Sequence, residues 1–478
     1  MKGLLIQFGI DLRLSFNILK QHFDIDRLVI DEIFPWTKIL STTEFFEGIK
    51  HQKDPKPFSS YHRVLPLYMI MYKNLKRDRD ILFNLENELE AMGITELEYD
   101  IPKILEIREY VEGQLYVEHY DYIGFYTITR ATLYMTLAMM LIKQKYPDKR
   151  IIGGGPWFEV ECHNADMFIE NGTLDGYLVG DIEGIDISEI KGRTVNFCKD
   201  INTLEMPEPT IQTMPWNNQD AIFFYGSKGC PFSCSFCQQG IQKFRAIEPK
   251  KVAAYLQRCF NETGFNSFFA ADNIFFVHKS WILELRDEIK RLGLLGKINF
   301  PFCNVHPIYL SDRETLDAIE DLRIHLFIGA ESFSTASLRR MKKGVTREYN
   351  LKMVDELRRR NISFTLGRVF QFPGETEDEF QESLDSFLRV FMWNKNSRYL
   401  GVFSLFPNTD VYDNHDRFNI RLNYFNSNVY NYMPEFNKYL DQVPCSYTDL
   451  TDPNSERFLK VNKKIRIIND KICKVFPL

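Results

Sequence analysis

Apolar residues recur along this chain in two rhythms. Short unbroken runs, such as GLLIQF at 3–8, RLVIDEIF at 27–34 and DYIGFYTI at 121–128, have the length and composition of buried strands. RIIGGG at 150–155 runs into a glycine turn, and LDGYLVGD at 174–181 reads as a further strand. Elsewhere the apolar positions return every three or four residues, which predicts helices over Arg63–Gly93, Ile101–Tyr120, Thr129–Tyr146 and Phe158–Asn171, the last closed by Gly172. Thr132–Ile142 is apolar all round and carries three methionines, as expected of a helix buried against a sheet. Strands alternating with helices predict a parallel, doubly wound, Rossmann-like sheet within residues 1–200. Residues 1–120 carry no motif and no internal repeat.

Residues 201–219, INTLEMPEPTIQTMPWNNQ, hold three prolines and little periodicity, and are read as a linker. A second strand–helix series follows over 220–410. Its strands are AIFFYGS, SFFAADN, INFPFCN, HLFIGAE, SFTLGRVFQF and YLGVFSLF, with a helical pattern after each except the last. Six parallel strands of this kind make an open sheet or a partial (β/α)6 barrel, with its site at the carboxyl ends of the strands. The stretch 411–478 is rich in Asn, Tyr and Phe and is expected to form a small C-terminal cap, ending in a charge-mixed helix at Ser455–Lys474. The fold class is therefore α/β throughout.

Composition narrows the partners. A hydrophobic fraction of 44% with 26% charged residues is that of an ordinary globular chain. A net charge of −6 argues against a general nucleic-acid binder. The longest apolar stretches, Leu65–Tyr72 and Leu133–Ile142, fall short of the roughly 20 residues a membrane span needs. The N-terminus meets Asp11 and Arg13 too early for a secretory signal, so a cytoplasmic location with reduced thiols is expected. Of the nine cysteines, three lie within eight residues, which suggests a metal site and not a disulfide framework.

Those three, in GSKGCPFSCSFCQQG, are Cys230, Cys234 and Cys237, spaced C-x3-C-x2-C directly after the first strand of the second series. A loop there can fold three thiolates around one centre, and thiolates suit iron–sulfur clusters or zinc. Structural zinc takes four protein ligands, commonly from two C-x2-C pairs, and no second pair or nearby histidine is present. A 4Fe–4S cluster held by three cysteines leaves one iron open to a substrate. A zinc-stabilised binding protein without catalysis is the reading outside enzymology.

The motif resembles that of the radical S-adenosylmethionine superfamily. The resemblance extends over roughly 221–410 and takes in FFAADNIFF, IGAESFSTASLRRMKKG and GRVFQFPGET. It implies a 4Fe–4S cluster whose open iron chelates S-adenosylmethionine, reductive cleavage to a 5′-deoxyadenosyl radical, and hydrogen abstraction from a substrate. Residue by residue, it implies that Phe236 lies by the adenine and that Asp272 and Asn273 meet the methionine amino group. Glu331 and Ser332 match the contacts to ribose or the methionine carboxylate, and Arg368 is a candidate for the carboxylate. Val369–Thr376 match the adenine motif, with Gln371 standing where the family usually has Gly.

Residues 121–200 resemble the cobalamin-binding domain that precedes many of these enzymes, on IIGGG, the helix after it and DGYLVGDIE. Among the nine histidines only His415 has Asp two residues before it, and there Phe418 stands where the glycine would be and the pair lies outside residues 121–200, which argues against the D-x-H-x-x-G ligand to cobalt, though relatives without that histidine bind cobalamin. Without a methyl carrier, a thiol can quench the substrate radical. That is the chemistry of the proteusin-type radical peptide epimerases, whose layout this chain resembles. The resemblance implies L-to-D epimerisation in a ribosomally made precursor peptide, with an electron donor such as flavodoxin or ferredoxin. Cys445, in DQVPCSYTD, is the first candidate hydrogen donor and Cys303, at the end of the third barrel strand, the second. Cys259 falls in a helical pattern, and Cys162, Cys198 and Cys473 lie outside the barrel strands. The competing enzyme reading is a cobalamin-dependent radical methyltransferase.

Overall fold

The computed structural model describes residues 1–8, 20, 24–29, 61–94, 101–127, 132–160, 162–213, 219–391, 401–442, 444, 446–452 and 456. Cys445, Cys473 and the expected helix at Ser455–Lys474 lie outside the described residues, apart from Glu456. The described residues fall into two units. One runs to Cys198 and also takes in Leu422–Tyr447, and the other comprises Lys199–Arg421 with the described residues from Thr448 onward.

The first unit is built on six strands. These are β1 (Lys2–Phe8), β2 (Asp24–Val29), β3 (Tyr122–Thr127), β4 (Arg150–Gly154), β5 (Gly176–Gly180) and β6 (Gly192–Asn196). Their order is β2-β1-β3-β4-β5-β6 and every pairing is parallel. The reversal at β1 makes the sheet doubly wound, and it places a topological switch point between β1 and β3, where Gln7 and Tyr126 lie side by side. The helix Thr132–Lys145 is buried on every side from Thr132 to Ile142, as the lack of a polar face over that stretch demands, and only its last turn, Lys143–Lys145, reaches solvent. The single helix expected over Arg63–Gly93 is two, Tyr61–Lys76 and Leu85–Ala91. Asp78 and Asn84 adopt left-handed backbone between them, which a continuous helix does not allow. β6 was not foreseen; its alternating exposure and single apolar residue, Val195, give little periodic signal.

The second unit holds β7 (Ile211–Thr213), β8 (Asp220–Phe224), β9 (Ser267–Ala270), β10 (Asn299–Val305), β11 (Ile324–Glu331), β12 (Phe364–Phe370) and β13 (Gly401–Val402). From β8 to β13 the strands are parallel and neighbour one another in chain order, with β7 antiparallel on the outer edge of β8. Consecutive order with right-handed crossovers puts all the helices on one face, which is the winding of a partial barrel. Phe224, Phe268 and Phe300 gather on the helix-covered face, around Phe275 and through it Trp281. On the inner face Phe223, Phe269, Phe302 and Phe327 stack in sequence across four neighbouring strands, with ring centroids 4.3, 4.8 and 5.2 Å apart.

The expected C-terminal cap is not a third unit. Phe425, Val429, Met433, Phe436, Tyr439 and Leu440 join the core of the first unit, where Phe436 meets the rings of Tyr68 and Tyr72 edge-on. Burying that apolar stripe is worth more than a free-standing segment of this size gains alone.

Candidate functional site

The cysteine loop leaves β8 and is tied at its base. Ser227–Lys228 pair antiparallel with Arg245–Ala246, so residues 229–244 form a closed loop at the carboxyl end of the strand. Gly229 holds φ +77, and a Cβ there would lie 2.4 Å from the Lys243 carbonyl oxygen, so only glycine fits. The Cys230 amide donates to Gln242 O at 3.2 Å and the Cys237 amide to Cys234 O at 3.0 Å. Between the cysteines, fully buried Ser235 docks the loop onto the end of the short helix Thr335–Arg340. Its amide donates to Met341 O at 3.0 Å and its hydroxyl to Arg340 O at 2.9 Å, which satisfies two helix-terminal carbonyls.

All three thiols are half-buried, and burial pushes each above the ordinary cysteine range, Cys237 to about 11. The Lys343 ammonium works the other way on Cys230 and Cys234. The three sulfurs are near enough to act on one another electrostatically. Yet among the described residues no three His, Cys, Asp or Glu side chains converge as ligands of one ion. Three soft thiolates on one loop are the donor type that an iron–sulfur cluster takes, so the residues present fit a cluster held by three cysteines.

Two further motifs meet this loop. The Phe236 ring lies edge-on to Phe372 at 6.2 Å, which brings the cysteine loop to the stretch after β12. There Pro373 and Gly374, with Gly374 at φ +75 and the Glu375 amide on Phe372 O at 3.0 Å, make a type II turn. Thr376 and Glu379 then cap the helix Glu377–Phe391 reciprocally. Gln371 adopts φ +57, the left-handed backbone that a glycine at this position would take without strain. Val369 is half-buried and pairs with Gly401.

At the end of β11, Glu331 also adopts left-handed backbone, φ +58. Its Oε1 lies 3.7 Å from Lys343 Nζ, in an ion pair that is nearly enclosed. Gly329 makes the room: a Cβ there would stand 2.8 Å from Glu331 Oε1 and 3.3 Å from Lys343 Nζ. His306, just past β10, stacks on Phe232 of the cysteine loop at 3.8 Å. Burial and the Lys343 charge press its pKa down to about 3, so the ring is neutral. Nδ1 accepts from the Ile308 amide, which leaves the proton on Nε2.

Other sequence candidates are placed elsewhere. Asp272 is enclosed and works as a latch, accepting from Gly226 N at 3.0 Å and from Ser227 Oγ at 2.6 Å, while its neighbour Asn273 is exposed. Ser332 is buried, with its hydroxyl 3.2 Å from Ser383 of the covering helix. The Arg368 guanidinium lies over the Phe387 ring, in the same helix-side layer as Phe370, where burial works against its charge and Glu331 works for it. Cys303 pairs in register with Leu326, on the face that also carries Phe300 and Ile324. A bulge between Phe300 and Cys303 shifts the register and turns Phe302, not Cys303, to the inner face. Lys343, Ser235 and Gly329 escaped the sequence reading. The basic pair before Gly344 in MKKG was the available signal for the first.

In the first unit the glycines divide. Gly153 and Gly155 make room for the chain's own rings, since a Cβ would strike Phe158 at 2.3 Å and Tyr126 at 2.4 Å. Gly154, at the end of β4, and Gly184, in the loop after β5, have no neighbour within 4 Å of where a Cβ would stand among the described residues. Gln7, at the switch point, is wholly buried, and its Nε2 has no hydrogen-bond partner among the described residues. Among the described residues no helix is long and apolar enough to cross a membrane.

A sequence profile of the Radical SAM superfamily matches residues 224–387. A tRNA-2-methylthio-N(6)-dimethylallyladenosine synthase of Carboxydothermus hydrogenoformans is 31% identical over 130 residues, 25% of this chain and 29% of that protein. An anaerobic magnesium-protoporphyrin IX monomethyl ester cyclase of Rubrivivax gelatinosus is 26% identical over 204 residues, 42% of this chain and 35% of that protein. The chain thus spans about a third of the length of these curated relatives. Among solved structures, the cobalamin-dependent S-adenosylmethionine radical enzyme OxsB with aqua-cobalamin matches with a TM-score of 0.50 and 12% identity, over 87% of this chain and 60% of that one. The radical S-adenosylmethionine methyltransferase TsrM from Kitasatospora setae, with cobalamin and a 4Fe–4S cluster, matches with a TM-score of 0.52 and 13% identity, over 88% and 80%. At these identities the likeness is one of fold.

Proposed function

Residues 224–387 of this chain form a radical S-adenosylmethionine domain, and from that premise we propose that the protein cleaves S-adenosylmethionine reductively and takes a hydrogen atom from an unactivated carbon of its substrate. The observation that carries the reading is the tied loop presenting Cys230, Cys234 and Cys237 beside the Lys343–Glu331 pair. When bound to these thiolates, a 4Fe–4S cluster supplies the electron that breaks the sulfonium bond. The chain's part is to hold and to shield. Phe236 and Phe372 offer an apolar edge for the adenine, and Glu331 offers a carboxylate to ribose hydroxyls or an amino group. The stacked rings of Phe223, Phe269, Phe302 and Phe327 line the inner face with hydrocarbon, which keeps water and stray hydrogen donors from a radical. A flavodoxin or ferredoxin is the class of electron donor proposed.

For the fate of the substrate radical we favour methyl transfer. Two solved structures that share this fold hold cobalamin, and one of them is a methyltransferase. Gly154, Gly184 and the amide of Gln7 at the switch point are the residues that would receive such a group. Bound there, cobalamin supplies a transferable methyl group. The second reading is inversion of a peptide α-carbon in a ribosomally made precursor, with quenching by a thiol. It is favoured by the Tyr126 ring against Gly155, which narrows the space there, and by the missing D-x-H-x-x-G motif. Cys445 is its candidate donor, since Cys303 sits in the helix-side layer.

Protein purified without oxygen should hold iron and sulfide and convert S-adenosylmethionine to 5′-deoxyadenosine; a colourless, zinc-loaded protein would refute the reading. Cobalt in the protein and a product heavier by one methylene unit mark methyl transfer. An unchanged mass in ordinary water, with one deuterium gained per modified residue in heavy water, marks inversion.

A further inference from the structure

We propose that the substrate presents a flat, uncharged aromatic group, and that this group lies on the ring edges of Phe302 and Phe327 inside the partial barrel. The inference rests on the S-adenosylmethionine-cleaving reading and deepens it by naming the substrate class.

The row Phe223, Phe269, Phe302 and Phe327 is unlike ordinary barrel filling, in which branched aliphatic side chains dominate. Its rings sit 4.3, 4.8 and 5.2 Å apart, with interplanar angles of 24°, 14° and 31°. Those separations match the spacing of about 4.8 Å between neighbouring strands, so the rings stand like cards on edge, face against face. The barrel interior therefore meets their hydrogen-bearing edges. A ring edge is the positive side of the aromatic quadrupole, and its best apolar partner is the face of another ring. A saturated group of the same size gains only buried area there. Exposure picks out the end of the row that can receive a ligand. Phe223 and Phe269 are 6% and 7% exposed, whereas Phe302 and Phe327 are only half-buried.

The surroundings place the group and exclude charge from it. Along the inner face of β11, His325, Phe327, Gly329 and Glu331 follow one another at the two-residue period. Gly329 pairs in register with Gly367 of β12, so bare backbone lies between the Phe327 ring and the strand ends. A Cβ on Gly367 would come to 3.1 Å from Phe327 Cε1, so glycine there gives the ring its room. On the other side of Phe327, His325 closes the face. Its Nδ1 lies 2.7 Å from Ser363 Oγ and its Nε2 3.0 Å from Thr365 Oγ1, so both nitrogens are already engaged. Burial pushes its pKa down, and the ring is neutral. Between His325 and Glu331 the inner face of β11 thus carries no charge, and a charged group seated on the rings would lose water without gaining a partner.

The test reads binding by ligand-observed NMR to the full chain, made without oxygen and loaded with iron, sulfide and S-adenosylmethionine. The probes are pairs matched in size that differ in having a π face. Benzyl alcohol against cyclohexylmethanol stands for a free small molecule. The N-acetyl amides of phenylalanine and cyclohexylalanine stand for a side chain in a peptide. The aromatic member of each pair should bind about tenfold more tightly than the saturated one. Further tightening from benzyl alcohol to the phenylalanine amide marks a peptide-borne ring, and equal binding marks a free arene; both support the proposal. Phe302→Leu and Phe327→Leu keep hydrocarbon and remove a ring edge, so each should cut the preference about threefold and the double variant should abolish it. Equal binding of aromatic and saturated probes to the wild type would overturn the proposal without any variant having to fold. So would variants that melt earlier yet keep the full preference, since the rings would then serve the sheet alone. A chain that prefers the aromatic probes but leaves S-adenosylmethionine intact would refute the cleavage reading while the aromatic site stood.

Discussion

Asp272 was expected to meet cofactor and instead fastens the base of the cysteine loop, which leads to a measurable pH signature. Its carboxyl is wholly enclosed, and burial pushes its pKa up to about 7 against the Ser227 hydroxyl and the Gly226 amide, which favour the ionised form. In the opened chain the group returns to the ordinary aspartate value near 4. Between about pH 4 and about pH 7 the closed form therefore keeps a proton that the open form gives up. The latch contributes its full stability below that window, loses it as pH rises through it, and is flat above. Each pH unit inside the window is worth about 1.4 kcal/mol, so from about pH 5 to about pH 7 the latch loses roughly 2.7 kcal/mol, or about a hundredfold in opening.

Asp272→Asn removes the titration and leaves an oxygen for the Gly226 amide, while Ser227 Oγ keeps its bond to Ile274 O at 2.7 Å. Hydrogen–deuterium exchange of a peptide covering Gly226–Lys228 reads the opening locally, and the ratio of wild type to variant at each pH cancels the intrinsic exchange rate. The ratio of opening constants should climb by about a hundredfold from about pH 5 to about pH 7 and then level off. A ratio that stays flat would mean the carboxyl is ionised throughout. Hydrogen bonds that outweigh burial would hold the closed-form carboxyl below its ordinary value, which moves the pH dependence below about pH 4 and leaves this window flat.

Gln371→Gly should raise the melting temperature by relieving roughly 1 kcal/mol of left-handed strain at φ +57, as read by differential scanning calorimetry. Gly229→Ala forces a Cβ toward the Lys243 carbonyl, so iron per chain after reconstitution should fall sharply while the far-ultraviolet circular dichroism holds. Ser235→Ala removes the hydroxyl bond to Arg340 O, at about 1 kcal/mol or more, while its amide keeps Met341 O, and should speed iron loss to a chelator several-fold. Cys303→Ala should lower stability by about 1 kcal/mol through a small packing void and leave product formation intact, as measured by mass spectrometry.

Where periodicity was strong, the sequence was enough. The six parallel strands of the second unit and their order follow from short apolar runs separated by amphipathic helices, and the C-x3-C-x2-C loop lands after β8 as the strand pattern requires. Positions at the strand ends were harder, because a period of two names a face only while the register is unbroken. One extra residue between Phe300 and Cys303 turns Phe302 inward and Cys303 outward, and no composition signal marks that bulge. The same limit applies to Arg368, whose pairing with Glu331 follows a register shift after Gly329. The segment 422–447 was misassigned for a different reason: its aromatic residues show that it buries a face, but not against which core.

The departures from local preference in the second unit are themselves informative. Asn408 and Asn419 take left-handed backbone at little cost, since Asn tolerates it, and Arg323, Lys342 and Asn361 do so just beyond helix ends. Glu331 and Gln371 have neither excuse. They sit at the carboxyl end of β11 and just past that of β12, one in an ion pair with Lys343, the other beside Phe372, which touches Phe236 of the cysteine loop. Strain of about 1–3 kcal/mol at each is held in place by the surrounding sheet, and it bends the two strand ends where a ligand chelated at the cysteines would be received. An aspartate latch, a buried lysine and two strained strand ends thus converge on one loop. Each is poorly explained as packing alone, and each acquires a reason once three thiolates at that loop carry a negatively charged centre that must bind, take an electron and stay dry.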